Sequence, residues 1–176
     1  MMARHLPGSF FVSCLAFMPV VLRDVRHSAR GRDWFAHAQT LWLSEMGASA
    51  DDLASVVSRA AALLSESDRE ILSIERDDQS VGFVVLQRQV TRESTSLYLL
   101  LEFYVIPEYR ALGVGAAAAR LLFDRFEGRW EVRSLSSDAR AIAFWRRVTS
   151  RYAPGAVDER RERGEVVQRF LSKGAR

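Results

Sequence analysis

Hydrophobic and polar positions along the chain follow two periods, and together they predict alternating strands and helices. Apolar residues recur at helical spacing over 31–46 and again from Leu53 to Leu64. Further helical stripes follow Gly113 and Asp138. Strand-like segments cover 20–26, 70–76, 81–89, 96–105, 130–135 and 165–171. The predicted order is β-α-α-β-β-β-α-β-α-β, an α/β fold with a mixed sheet and helices on its faces.

Turn and capping signals set the boundaries of these elements. Gly47 is expected to end the first helix, and Ser49 with Asp52 has the spacing of a capping box for the second. The polar run 77–80 predicts a hairpin turn, so that three consecutive strands form a meander. Asp138 is a candidate N-cap for the last helix.

Composition narrows the classes of protein. The chain has 176 residues, 48% of them hydrophobic, which suits one domain over 19–176 with a sizeable core. The net charge of +3 is spread along the chain, so it favours a small anionic ligand over nucleic acid. The single cysteine, Cys14, excludes a disulfide framework and favours a reducing, cytoplasmic compartment. His5, His27 and His37 lack the spacing of metal ligands, so no metal is expected.

The first 18 residues are apolar after a short basic stretch and allow three interpretations. They resemble a secretory signal with a partial lipobox at 12–14, but no small-residue cleavage site follows, and cleavage after the run would cut into the first strand. Met18 could instead be the natural start, which would make 1–17 an upstream extension. The third interpretation is an apolar arm. The apolar run is too short to span a bilayer, and no membrane partner is expected.

The junction between the strand 96–105 and the following helix is the strongest chemical signal. Pro107 ends the strand, and Arg110 then leads through Gly113 and Gly115 into an alanine-rich helix. A helix start carries backbone amides without intrahelical partners, and glycines allow an anion to approach them closely. The junction therefore predicts a phosphate-binding loop.

A dinucleotide-binding fingerprint is the competing interpretation of these glycines. Residues 113–118 satisfy GxGxxA, and Asp138 follows about twenty residues later, beyond a strand. In that fingerprint the first glycine comes directly after its strand, whereas here residues 107–112 intervene. The chain after Asp138 is also short for a doubly wound sheet. The spacing therefore disfavours a nicotinamide enzyme.

Two segments resemble motifs of the GNAT superfamily of N-acetyltransferases. Residues 105–115 match V-x-P-x-x-R-x-x-G-x-G, and residues 138–145, DARAIAFW, resemble the family's N-x-x-A-x-x-F-Y. The resemblance covers about 19–172 and is closest to a bacterial subgroup of uncharacterised predicted acetyltransferases, which FDRFEGRWEV and VVQRF also resemble. It implies the GNAT acyl-CoA N-acyltransferase fold, with acetyl-CoA as co-substrate.

The resemblance also implies which residues bind acetyl-CoA. The pyrophosphate would lie on the backbone amides of the loop, at the positive end of a helix dipole. The pantetheine arm would pair with the end of the fourth strand where it splays from the fifth. The residues implied are Phe103, Tyr104, Val105, Arg110, Ala111, Leu112, Gly113, Val114, Gly115, Ala116, Asp138 and Trp145.

Glu102 is the candidate general base for direct attack of a primary amine on the thioester. It stands alone in an apolar strand, where burial is expected to raise its pKa, and the family often has a glutamate on this strand. A structural pairing with an arginine is the alternative. Strand alternation puts Glu102 on the side of Leu100 and Tyr104. The helices after the first strand border the acceptor site in this family, so Trp34 or Trp42 could line it.

The general acid is where the chain departs from the family. Trp145 stands where many members have tyrosine, and an indole N–H cannot serve as an acid. Tyr152, Tyr109 or water could replace it. Asp138 replaces the usual asparagine. The expected partner is a small-molecule amine, or less readily a protein amine; a homodimer fits but the oligomeric state stays open. The alternative is an acyl-CoA-binding module with little turnover.

Overall fold

The structure is a computed structural model, and it describes residues 19–92 and 94–174. The three interpretations of the N-terminal segment, together with Cys14 and His5, lie outside the described residues.

Within the described residues, seven strands form one mixed sheet in the order β1-β2-β3-β4-β5-β7-β6. The strands are β1 Val21–Asp24, β2 Arg69–Arg76, β3 Gln79–Val90, β4 Ser96–Val105, β5 Gly128–Leu135, β6 Asp158–Glu162 and β7 Glu165–Ser172. The helices are α1 Ala29–Glu45, α2 Ala50–Ala54, α3 Val56–Ser65, α4 Val114–Arg125 and α5 Ala139–Tyr152. Only β4 and β5 pair in parallel, joined by α4, while the other neighbours are antiparallel. The mixed α/β fold is confirmed, and this topology is unlike a doubly wound dinucleotide fold.

The predicted turn and caps are present. Asp77 and Asp78 both have positive φ, at 56° and 58°, which is the geometry of a two-residue type I′ hairpin. The Ser49 hydroxyl accepts from the amide of Asp52, whose carboxylate accepts from the Ser49 amide in return. Gly47 adopts φ +76° just after α1. These local signals identified the boundaries correctly because each depends on only a few neighbouring residues.

Two elements differ from the prediction. The second helix is interrupted at Ser55, so that α2 and α3 replace one continuous helix, and Val57 is 72% exposed rather than on the buried stripe. The strand β6 was not predicted. Its sequence, DERRE, has no apolar alternation, because it lies at the edge of the sheet where most of its residues are exposed.

A bulge in β4 overturns one prediction about the direction of its side chains. Val85 pairs with Glu102 and the next residue of β3 pairs with Leu100, so Leu101 has no partner in the ladder. The alternation therefore changes phase at Leu101. Glu102 and Tyr104 share one face of the sheet as predicted, but Leu100 points to the opposite face and not to theirs.

The two faces of the sheet carry separate cores. The face under α4 and α5 holds a cluster that includes Leu100, Phe123 and Trp130. The opposite face, under α1 and α3, holds a smaller cluster around Phe35 and Phe83. Because the cores lie on opposite sides of β4, the end of this strand contacts helices of both layers.

Candidate active site

The β4 and β5 strands separate at the point that the resemblance implied. Their ladder runs from Leu97 and Arg129 to Leu100 and Val132, and no pair follows it. Beyond the last pair, Phe103, Tyr104 and Val105 continue along β3 alone. One edge of this part of β4 is therefore not paired with β5, as strand addition by a ligand requires.

The loop after β4 presents amides at the start of α4. The first amide to find a partner in this helix is that of Ala117, which donates to the Gly113 carbonyl at 3.0 Å. The amides of Val114, Gly115 and Ala116 precede that bond. The Arg110 amide, which was expected to belong to the same set, donates instead to the Pro107 carbonyl at 3.1 Å. The amides available to an anion thus begin after Arg110.

Two residues of this loop have left-handed backbone. Gly113 has φ +80°, and Ala111 has φ +61°, a conformation that a residue with a Cβ adopts only at some cost. Gly115 has a different reason for lacking a side chain, since a Cβ there would lie 3.3 Å from the Phe144 ring and 3.7 Å from that of Phe103. Gly113 therefore serves the shape of the loop, and Gly115 keeps space open beside it.

A cavity of about 350 Å³ lies between this loop, the end of β4 and the ends of α1 and α5. It is lined by Trp42, Glu45, Met46, Phe103, Tyr104, Val105, Arg110, Ala111, Gly115, Asp138, Arg140, Ala141, Phe144 and Trp145. Eight of the predicted ligand-binding residues thus meet in one place. Leu112, Gly113, Val114 and Ala116 are in the same loop and helix start, but do not line this cavity.

Arg110 is fixed at the mouth of the cavity by three partners. Its Nε donates to the Val105 carbonyl at 2.7 Å, and its two terminal nitrogens donate to the two carboxylate oxygens of Glu45, with Nη2 at 2.7 Å. The guanidinium also lies over the Tyr104 ring, 5.4 Å from its centroid. The hydrogen bond from Arg110 lowers the pKa of the Glu45 carboxyl, and burial raises the pKa of the Tyr104 hydroxyl.

Glu102 is buried, with 8% of its surface exposed, but it is already engaged with two side chains. Arg59 donates to its Oε1 at 2.5 Å, and the fully buried Gln39 donates to its Oε2. Arg59 also donates to Gln39 Oε1 at 3.2 Å and lies over Trp42. Glu102 does not line the cavity. The predicted burial of its carboxylate is confirmed, and so is the pairing with an arginine that was the alternative to a catalytic role.

Trp145 and Asp138 both have structural contacts as well as a place on the cavity wall. Trp145 is buried edge-on against Phe103 and Phe144, with centroids 5.0 and 4.8 Å away. The Asp138 carboxylate accepts from the Ala141 amide at 2.9 Å, which confirms the predicted N-cap. The side chain that replaces the family's asparagine is thus used to begin α5.

The two tyrosines considered as acids lie away from the cavity. Tyr109 donates to Gln79 at 3.0 Å, and Tyr152 donates to Asp124 at 3.0 Å in a separate groove between α4 and α5. Burial and the Asp124 carboxylate raise the pKa of Tyr152 to about 12. Tyr104 is the tyrosine that lines the cavity among the described residues.

Sequence reasoning missed the residues that α1 brings to the site. Trp42 was considered as an acceptor-site residue and does line the cavity, whereas Trp34 packs against the smaller core. Glu45 and Met46 at the end of α1 were not singled out. No local motif marks them, because they reach β4 only through the packing of α1 on the sheet.

Residues 19–92 and 94–174 contain neither a metal-binding group of side chains nor a membrane-spanning helix. No three His, Cys, Asp or Glu side chains group together as a metal site would require. No helix in these ranges combines the length and the apolar character needed to cross a bilayer.

Comparison with known proteins gives a consistent picture. The model of the acetyltransferase (GNAT) family matches residues 32–149, more than half of the chain. An acetyltransferase from Thermus thermophilus superposes with a TM-score of 0.63 at 14% identity, over 88% of this chain and 96% of that one. A possible acetyltransferase from Clostridium difficile gives 0.61 at 14% identity, over 74% and 90%.

One of the similar solved structures contains a bound ligand. The PaiA N-acetyltransferase from Thermoplasma acidophilum, in complex with coenzyme A, superposes with a TM-score of 0.58 at 12% identity, over 88% of this chain and 99% of that one. Among curated proteins none matches this sequence. At these identities the solved structures establish the fold, and the family model establishes membership. The chain belongs to the GNAT family of acetyltransferases.

Proposed function

We propose that the protein transfers the acetyl group of acetyl-CoA to a primary amine of a small molecule by direct attack. The observation that carries this proposal is the cavity at the point where β4 leaves β5. Its wall includes the phosphate-binding loop on one side and the end of α1 on the other, so a thioester and an amine could meet inside it. The neighbour that binds coenzyme A has the same fold.

The residues present fit acetyl-CoA. Outward amides at the start of α4 suit a diphosphate, and the dipole of this helix adds positive charge. Space is kept open at Gly115, where a Cβ would meet the Phe144 ring. The unpaired edge of Phe103–Val105 suits the amides of a pantetheine arm. In this proposal the loop holds the diphosphate, and β4 guides the thioester into the cavity.

The chemistry is a balanced acyl transfer. The neutral amine nitrogen forms a bond to the thioester carbonyl carbon, the carbon–sulfur bond breaks, and the sulfur leaves as a thiolate while the amine loses a proton. A thiol has a reference pKa near 8.5, so a thiolate can leave near neutral pH without an acid. The absence of a tyrosine at Trp145 therefore does not prevent turnover in this proposal.

Glu102 is the proposed acceptor of the amine's proton. It lies two residues before Tyr104 on the same face of β4, and Tyr104 lines the cavity. Its salt bridge with Arg59 holds the carboxylate in place, so the proton would reach it through a water molecule or after Arg59 moves. A purely structural role predicts that Glu102→Gln lowers stability and leaves the turnover of folded protein unchanged.

The alternative is an acyl-CoA-binding module with little turnover. It is favoured by one observation, the lack of a free hydroxyl at the usual acid position, where Trp145 is packed between two phenylalanines. A cytoplasmic location suits both functions.

Incubation with acetyl-CoA and a panel of primary amines, monitored for free thiol, separates the two. We expect thiol release that depends on the amine and decreases in Glu102→Gln. Tight binding of CoA without thiol release for any amine, and without an effect of the Glu102 variant, would favour the module.

A further inference from the structure

The wall that α1 contributes to the cavity carries a negative charge in aromatic surroundings. Glu45 is the last residue of α1, and Trp42, Met46 and Tyr104 line the cavity beside it. The other carboxylate of the cavity, Asp138, is occupied in capping α5 on the opposite side. Glu45 has no such role within its own helix, and its partner comes from the phosphate-binding loop.

The partner of Glu45 is the Arg110 guanidinium, and the cavity holds this cation as it would hold a bound ligand. The Arg110 guanidinium is bound by both carboxylate oxygens of Glu45, rests over the Tyr104 ring at 5.4 Å and donates to the Val105 carbonyl. A carboxylate combined with an aromatic face is a binding site for organic cations. The protein thus fills this site with a cation of its own.

A diphosphate on the loop changes the electrostatics of this arrangement. Arg110 lies in the same loop, four residues before Val114, whose amide is the first of those that would bind the diphosphate, so its guanidinium is attracted both by Glu45 and by the phosphates. Two further cavity residues, Asp138 and Arg140, offset each other in charge. The diphosphate therefore leaves the cavity with an excess of negative charge, which favours a cationic acceptor over a neutral or anionic one.

We propose that Glu45 and the Tyr104 ring bind a second cationic group of the acceptor, which makes the preferred substrate a diamine or another amine with an additional positive charge. This inference rests on the proposed function. The attacking amine must be neutral, whereas the second group stays protonated and anchors the molecule, because alkylamines have pKa values near that of lysine.

The test is the acetylation of three probes of similar length near pH 7.5, followed as thiol release, together with calorimetric titration of the same probes into the CoA-saturated protein. The probes are 1,4-diaminobutane, 1-aminobutane and 4-aminobutanoate. We expect kcat/KM to be roughly tenfold or more higher for the diamine than for the monoamine, because the single nitrogen of 1-aminobutane cannot both stay protonated on Glu45 and attack as a neutral amine. Glu45→Gln should abolish this preference while keeping the shape of the side chain. Glu108→Gln, which removes an exposed carboxylate near the loop but outside the cavity lining, should retain it.

Equal kcat/KM for diamine and monoamine with the wild-type protein overturns the inference, and this comparison needs no variant. Preference for the aminocarboxylate, or a diamine preference that Glu45→Gln leaves intact, also overturns it. If no amine is acetylated, the proposed function fails. The calorimetric titration then still decides the role of Glu45, because the diamine should bind roughly tenfold more weakly to Glu45→Gln, and an unchanged affinity would overturn the inference.

Discussion

Gly113→Ala is the sharpest test of the phosphate-binding loop, because a control with the same backbone cost exists in the chain. Gly113 has φ +80° and Gly47 has φ +76°, and a Cβ added at either would meet nothing within 4 Å. Alanine at either site therefore pays only for left-handed backbone, about 1 kcal/mol. Gly47 follows the end of α1, whereas Gly113 is the N-cap of α4.

The two variants should lose similar stability and differ in ligand binding. About 1 kcal/mol corresponds to a fall in Tm of roughly 2–4 °C for a chain of this size. In the free Gly113→Ala protein the loop relaxes away from φ +80°, which turns at least one amide at the start of α4 from the phosphate site. Restoring the left-handed backbone on binding then costs about 1 kcal/mol, so Kd for CoA should rise roughly fivefold.

The assay is thermal unfolding together with calorimetric titration of CoA for both variants. A Kd that rises in Gly113→Ala and stays at the wild-type value in Gly47→Ala supports the loop as the diphosphate site. Equal Kd values for the two variants, at equal loss of Tm, would refute it.

Three further predictions concern Glu102, Tyr152 and Gly82. Glu102→Gln should lower kcat roughly 10²-fold or more if Glu102 accepts the amine's proton, and a kcat unchanged per folded molecule would contradict this role. The free energy of unfolding should fall as pH rises from about 10 to about 12, because the folded state keeps the Tyr152 proton that the unfolded chain loses. Tyr152→Phe, which also lacks the hydrogen bond to Asp124, should make Tm less dependent on pH in this range. An unchanged slope of Tm against pH would contradict the prediction. Gly82→Ala should lower the free energy of unfolding, measured by denaturant titration, by about 3 kcal/mol or more, because its Cβ would lie 2.2 Å from the Tyr104 carbonyl oxygen. A loss below about 1 kcal/mol would contradict this, because it would show that the strands move apart at little cost.

Much of the fold could be predicted because its signals are local. The helix caps at Ser49 and Asp138 each depend on residues three positions apart, and the hairpin at 77–80 depends on two residues with left-handed backbone. The loop from Arg110 to Ala116, which is proposed to bind the diphosphate, is similarly contiguous, so its motif is visible in the sequence.

The features that were missed depend on tertiary contacts. The bulge at Leu101 places Leu100 on the face of the sheet opposite to the one predicted. It depends on the pairing of β4 with β3, in which two residues of β4 stand against one residue of β3. Pairing of Glu102 with an arginine was one expectation, but the sequence did not identify Arg59, which comes to it from a helix 43 positions away. Glu45 reaches Arg110 across 65 positions, and neither residue carries a local sign of the other.

Direct attack of an amine on the thioester within one cavity is tested most directly by initial rates with both substrates varied. Direct attack requires acetyl-CoA and the amine to be bound together, so double-reciprocal plots should give intersecting lines, with one acetylated amine formed per thiol released. Parallel lines, which indicate an acetylated enzyme intermediate, or thiol release without acetylated amine, would contradict it.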